Sequence, residues 1–228
     1  MKCWICGDTA TTREHLLKVS DLSSYYGRVS PDRPIYFHSV TKRNVPLLSA
    51  KDKRLVCRAK ICAKCNNERT QPYDRAWEVF SAYVRNNWDV ISKSGKIDLS
   101  KINQGATRQL SLNVHLYFVK LFGCRIVEND VPIDIKKFSD CILNARAHDE
   151  VCMVVLETPP LTRSKVAGLT EIHAQNIGAI TEKAAWIYTV GPVSIRVGYH
   201  ANSSSRLAWP HVWHPNKPGK IIKPARMR

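Results

Sequence analysis

Two Cys-x-x-Cys pairs set far apart constrain the fold of this chain more than any other feature. The first is Cys3-Trp4-Ile5-Cys6 and the second is Cys62-Ala63-Lys64-Cys65. Each pair offers two sulfurs from one tight turn, and Zn²⁺ takes four soft or borderline ligands in a tetrahedron. Two such turns close the shell. Cys3, Cys6, Cys62 and Cys65 are therefore expected to hold one structural zinc ion that staples the N-terminus to a distant segment. Among the other cysteines, Cys124, Cys141 and Cys152 stand singly in apolar surroundings and read as small core residues, and Cys57 reads as a packed strand residue. The N-terminus has no apolar signal-peptide core, and no stretch reads as a membrane span. With the paired spacing, this points to metal ligation in a reduced cytoplasm rather than a secreted disulfide framework.

The charge balance bears on the partner. Lys and Arg number 35 against 19 Asp and Glu, a formal net charge of +16 over 228 residues. Such an excess points to a polyanion, and nucleic acid is the commonest one. No Asp or Glu follows Glu182, so the C-terminal segment is purely cationic, and it reads either as charge lying along phosphates or as a disordered basic tail with no set partner.

Hydrophobic spacing then places the elements. Trp77, Phe80, Val84, Trp88 and Ile91 recur every three or four residues, which makes one face of a helix begun near Pro72 and ended at Ser94-Gly95. Residues 20 to 50 are punctuated as loop, with a short strand at Ile35-Tyr36-Phe37. Two further helices are expected at Leu112–Phe122, stopped by Gly123, and at Ile133–Ala145. Strands are expected at Val151–Leu156, Val166–Ile172, Ala184–Val190 and Val193–Tyr199, the last two forming a hairpin about Gly191-Pro192. The fold class is α+β, with two units: 1–95, holding the cysteine pairs, and 96–228, with two helices, a small antiparallel sheet and a basic tail.

Between the cysteine pairs stands Arg13-Glu14-His15, and directly after the second pair comes Asn66-Asn67. The arrangement of Cys3, Cys6, Glu14, His15, Cys62, Cys65 and Asn66 resembles that of the HNH endonucleases of the His-Me finger superfamily, over roughly the first 90 residues. That resemblance implies a zinc-stapled ββα-metal module. It implies His15 as the general base that activates water against a phosphodiester, and Glu14 with Asn66 as protein ligands of one catalytic cation, Mg²⁺ or Mn²⁺; Asn67 is the alternative to Asn66. Hard oxygen donors of this kind suit Mg²⁺ or Mn²⁺ rather than zinc. Since neighbouring side chains on a strand point to opposite faces, the chain must twist at Glu14-His15, or cation and base must straddle the phosphate.

Arg13, Lys18, Arg69 and Arg75 are expected to surround this site and hold phosphates. Asp74 and Glu78 read as helix-surface acids. His211 and His214, near Trp209 and Trp213, read as aromatic packing rather than a second metal site. The substrate implied is DNA, with RNA as the other candidate, and restriction, homing, phage and defence roles all suit such a chain. The second half is expected to select the target or a protein partner. The competing reading is a non-catalytic, zinc-dependent nucleic-acid- or protein-binding module.

Overall fold

The computed structural model describes residues 1–39, 41–157, 166–202, 211–217 and 219–226. Its elements in chain order begin with strand β1 (Thr12–His15), helix α1 (Val19–Tyr26) and strands β2 (Ile35–Phe37), β3 (Val45–Leu47) and β4 (Val56–Ile61). Helices α2 (Gln71–Asn86) and α3 (Trp88–Ser94), strand β5 (Ile97–Asp98) and helices α4 (Thr107–Glu128) and α5 (Ile135–Leu143) follow. The chain closes with β6 (Val151–Glu157), β7 (Ala167–Leu169), β8 (His173–Ile177), β9 (Ile180–Val190), β10 (Val193–His200), β11 (Ile221–Ile222) and β12 (Ala225–Arg226). The protein is mixed α and β, as expected.

Helix α4 is the axis of the molecule. Its sequence is apolar on every side, and a helix of that kind must be enclosed. Every residue from Val114 to Ile126 is buried, including His115, Lys120 and Arg125. By length and composition this helix is apolar enough to cross a membrane, contrary to the sequence reading, and 83% of its most apolar window is buried inside the protein. On one side α2 presents the expected face: Trp77, Phe80 and Val84 are fully buried, and Trp88 and Ile91 continue the burial into α3. Trp77 stacks on Tyr117 at 5.5 Å between ring centroids and meets Phe118 edge-on at 4.8 Å. On the other side the six-stranded sheet, in the order β12-β6-β10-β9-β7 with β8 also on β9, lays Trp186 and Tyr188 against Phe118 and Phe122. Burying each of these side chains contributes about 1.5–3 kcal/mol.

Three expectations change here. α4 does not stop at Gly123 but runs on to Glu128. The glycine serves a close approach instead: a Cβ there would lie 2.3 Å from the ring of Trp4. Residues 19–26 form a helix, not loop, because its Asp21 and Leu22 find buried partners far along the chain. The boundary expected at residue 95 is not a break in packing, since one core runs continuously from Cys3 to Ile222.

The second half otherwise follows its sequence. β9 and β10 form the hairpin about Gly191-Pro192, with Val190 opposite Val193. Gly191 has φ +59, and its amide donates to Val166 O at 2.8 Å. α5 covers Ile135–Leu143 with Phe138 and Ile142 inward. β7 is shorter than expected, and β8 was not expected. Trp209 and the last of the basic tail lie outside the described residues. His214 packs edge-on to His115 at 5.0 Å, and Trp213 Nε1 donates to Ser111 Oγ at 2.8 Å.

The Trp4–Gly123 contact is testable. An alanine at position 123 would raise helix propensity by about 1 kcal/mol, yet its methyl has no room beside Trp4. Gly123→Ala is expected to destabilise by about 1–3 kcal/mol, read as a lower denaturant midpoint at unchanged m-value.

Candidate functional site

The first cysteine pair lies in a tight turn. The amide of Cys3 donates to Asp8 O at 2.7 Å and that of Gly7 to Cys3 O at 2.8 Å, with Gly7 at φ +83. The second pair closes β4 and opens the π-type turn Lys64–Arg69 that leads into α2. β1 and β4 pair antiparallel, Thr12 opposite Ile61, which draws the two turns together. The four sulfurs of Cys3, Cys6, Cys62 and Cys65 lie within 4.8 Å of one another. Cys6 Sγ and Cys62 Sγ are 3.5 Å apart. Zinc–sulfur bonds of about 2.3 Å in a tetrahedron separate the sulfurs by about 3.8 Å, so the cluster is compatible with zinc. Around it, Cys65 N–H donates to Cys62 Sγ at 3.3 Å, and Arg69 Nη1 donates to Cys65 Sγ at 2.9 Å. Burial opposes ionisation of Cys62, but the Cys65 amide and the neighbouring sulfurs outweigh it and hold that thiol below its ordinary value.

The β1–β4 ladder slips between Arg13 and His15, so Glu14 alone on β1 faces a bulged stretch of β4, Cys57 to Ala59. A bulge re-aims side chains. Glu14 turns into the interior and is buried, whereas His15 stays half-buried at the strand end. The carboxylate of Glu14 meets Lys120 Nζ from α4 at 2.9 Å. The same ammonium contacts both carboxylate oxygens of Asp74 on α2, at 3.0 and 3.2 Å, and Thr70 Oγ1 at 3.4 Å. Lys120 is fully buried; burial opposes its charge, and Glu14 and Asp74 outweigh that and hold its pKa above the ordinary value.

This alters the role expected of Glu14. A divalent cation needs several free oxygen ligands, and here an ammonium already occupies the carboxylate. Asn66 likewise turns its Nδ2 towards β1, donating to Thr12 Oγ1 and Arg13 O, each at 3.3 Å. As these side chains stand, the residues do not fit a Mg²⁺ or Mn²⁺ site. Asn67 is exposed. What the fold does bring together is β1, the Asn66 amide and the cysteine cluster.

His15 Nε2 is shielded from solvent and makes no hydrogen bond with a described residue. Burial holds this imidazole below its ordinary value; Glu14 works the other way, and Lys18 and Lys51 reinforce the burial. Of the expected phosphate holders, Arg13 and Arg75 are exposed. Lys18 is instead committed to Asp74 at 3.1 Å and Glu78 at 3.5 Å, and Arg69 to the Cys65 sulfur. Asp74 and Glu78 are thus members of this charge network rather than idle surface acids. Lys120 escaped the sequence reading; its signal was a lone lysine inside the apolar run Leu116–Phe122. Comparison of the chain with protein-family models, with curated proteins and with solved structures gave no match.

Two measurements probe this site. The purified protein is expected to carry one zinc per chain, and Cys62→Ser is expected to lose both metal and cooperative unfolding, because metal affinity and folding are one free energy here. Lys120→Met keeps the volume but leaves Glu14 and Asp74 buried without their cation. It is expected to cost about 3–5 kcal/mol in chemical denaturation.

Proposed function

We propose that this chain is an HNH-type endonuclease that hydrolyses phosphodiester bonds of DNA, with His15 as its general base and zinc held by Cys3, Cys6, Cys62 and Cys65. The observation that carries the reading is the register slip of β1 against β4 at Glu14. It accompanies a parting of two sequence neighbours, with Glu14 inward and His15 at the strand end. Two antiparallel strands, a cysteine turn and a helix, with Asn66 tied to the first strand, form the frame on which such a base would be presented. The net charge of +16 suits a polyanionic substrate. In the reaction, water attacks phosphorus, the imidazole takes the proton of that water, and the P–O bond to the leaving sugar oxygen breaks. The reading assigns no step to Glu14, which balances Lys120.

A second reading is favoured by that same lysine. A buried ammonium at the carboxylate expected to hold a cation suits a zinc-dependent nucleic-acid-binding module that does no chemistry.

Supercoiled plasmid separates the two. Under the nuclease reading, wild-type protein nicks or linearises it in parallel reactions with and without Mg²⁺ or Mn²⁺, and His15→Ala reduces the rate by about 10²–10⁴-fold while melting normally and still retarding DNA on a gel. Equal rates in both proteins would remove His15 from the chemistry. Retardation without cleavage under either metal establishes the binding module.

A further inference from the structure

Between β1 and β4 the chain makes an excursion whose charge is one-sided. Arg28, Arg33, Lys42, Arg43, Lys51 and Lys53 are all exposed, and none forms an ion pair with a described residue. The acids of the stretch are Asp21, Asp32 and Asp52; Asp21 is buried against Arg85 at 2.7 Å, and Asp52 is held by Arg54 at 2.7 Å. Within this excursion β2 and β3 form a two-stranded antiparallel ribbon, Ile35 opposite Leu47 and Phe37 opposite Val45. Side chains alternate across a strand. Ile35 and Phe37 accordingly pack on the core with the buried Leu47, while Tyr36 points outward and is 58% exposed. The ribbon's base is fixed: Arg54 Nη2 donates to Pro46 O at 2.9 Å while bound to Asp52. At its far end Ser39 N–H donates to Lys42 O at 2.7 Å and Lys42 N–H to Ser39 Oγ at 3.0 Å. Lys42 and Arg43 are thereby presented at the tip. The excursion returns beside His15, which pairs with Val56 at the start of β4.

We infer that the β2–β3 ribbon is a DNA-docking element that enters the major groove of a B-form duplex, with Lys42 and Arg43 on the phosphates flanking it. The inference rests on the nucleic-acid reading above and names the surface by which the duplex is held. The geometry selects the duplex. The major groove of B-DNA is about 12 Å wide and admits a two-stranded ribbon, whose strands lie about 4.8 Å apart. The major groove of A-form RNA is deep and narrow and does not admit one. The exposed Tyr36 ring adds a flat apolar surface to the outward face of the ribbon.

The test measures equilibrium binding without cleavage. His15→Ala protein is titrated against a fluorescent DNA duplex without added divalent cation, over a range of salt concentrations. In that background, Lys42→Ala/Arg43→Ala is expected to weaken binding about tenfold at physiological salt and to lower the slope of log K against log salt by about two. Lys93→Ala/Lys96→Ala removes the same charge from an exposed stretch at the end of α3 and is expected to change neither by more than about half as much. Thermal melts confirm that each variant folds. An unchanged slope for the tip variant, an equal loss in both variants, equal affinity for an RNA duplex of the same length, or no DNA binding at all would overturn the assignment. Failure of the nuclease reading shows instead as absent plasmid cleavage while the tip effect persists.

Discussion

The ammonium of Lys120 is the interaction on which the arrangement around β1 depends. It reaches from the central helix to Glu14 on β1 and to Asp74 on α2, so one charge joins three elements that are remote in sequence. A lysine with no solvent exposure is costly unless its charge is matched, because desolvation removes its hydration. Two carboxylates supply the match, and Lys18 leans on the outer side of Asp74 and Glu78. Apolar residues of similar volume would hold these elements together at least as strongly. What the pair adds is position: with Glu14 drawn inward, the register slip in β1 is held in one place.

The cysteine cluster and the lysine act at opposite ends of the same short ladder. At one end Thr12 meets Ile61, and the sulfurs gather just beyond them. At the other end Glu14 turns to Lys120 and His15 meets Val56. Between the two, Asn66 ties the helix entry to Thr12 and Arg13. A two-stranded ladder this short is marginal in water. It persists here because a metal-compatible cluster, a side-chain amide and a buried ion pair each fix a different point along it.

Much of this was legible in the sequence, and the remainder was not for definable reasons. The cysteine pairs announced themselves because ligand spacing is local. The face Trp77–Phe80–Val84 and the hairpin at Gly191-Pro192 did so because periodicity and turn chemistry are local too. Helix α1 was missed because what holds it is not local. Asp21 is buried and accepts hydrogen bonds from Trp77, Ser81, Arg85 and Tyr188, partners on α2 and β9 that no window around residue 21 contains. The same limit governs Glu14. Adjacent to His15 and a cysteine turn, it reads as a metal ligand; only the fold reveals that a lysine from the second half arrives at its carboxylate. Gly123 shows the complementary error, a residue read as a helix stop that is present because Trp4 leaves no space for a methyl group.

These elements also divide the N-terminal third by task. Glu14, Asp74 and Lys120 neutralise one another inside and offer nothing to a substrate. Arg13 and Arg75 lie exposed on the body, and the excursion between β1 and β4 carries further exposed cations without an ion pair among the described residues. Acidic and basic groups are therefore not mixed evenly: Glu14, Asp52, Asp74 and Glu78 are paired with Lys18, Lys120 and Arg54, and the exposed acids Asp8, Asp32 and Glu68 are outnumbered by exposed cations. In water, exposed pairs of opposite charge would gain little from association. Pairing several of the acids with buried or half-buried partners and leaving most of the bases outside thus concentrates the overall charge excess on the surface, where it sets the long-range potential.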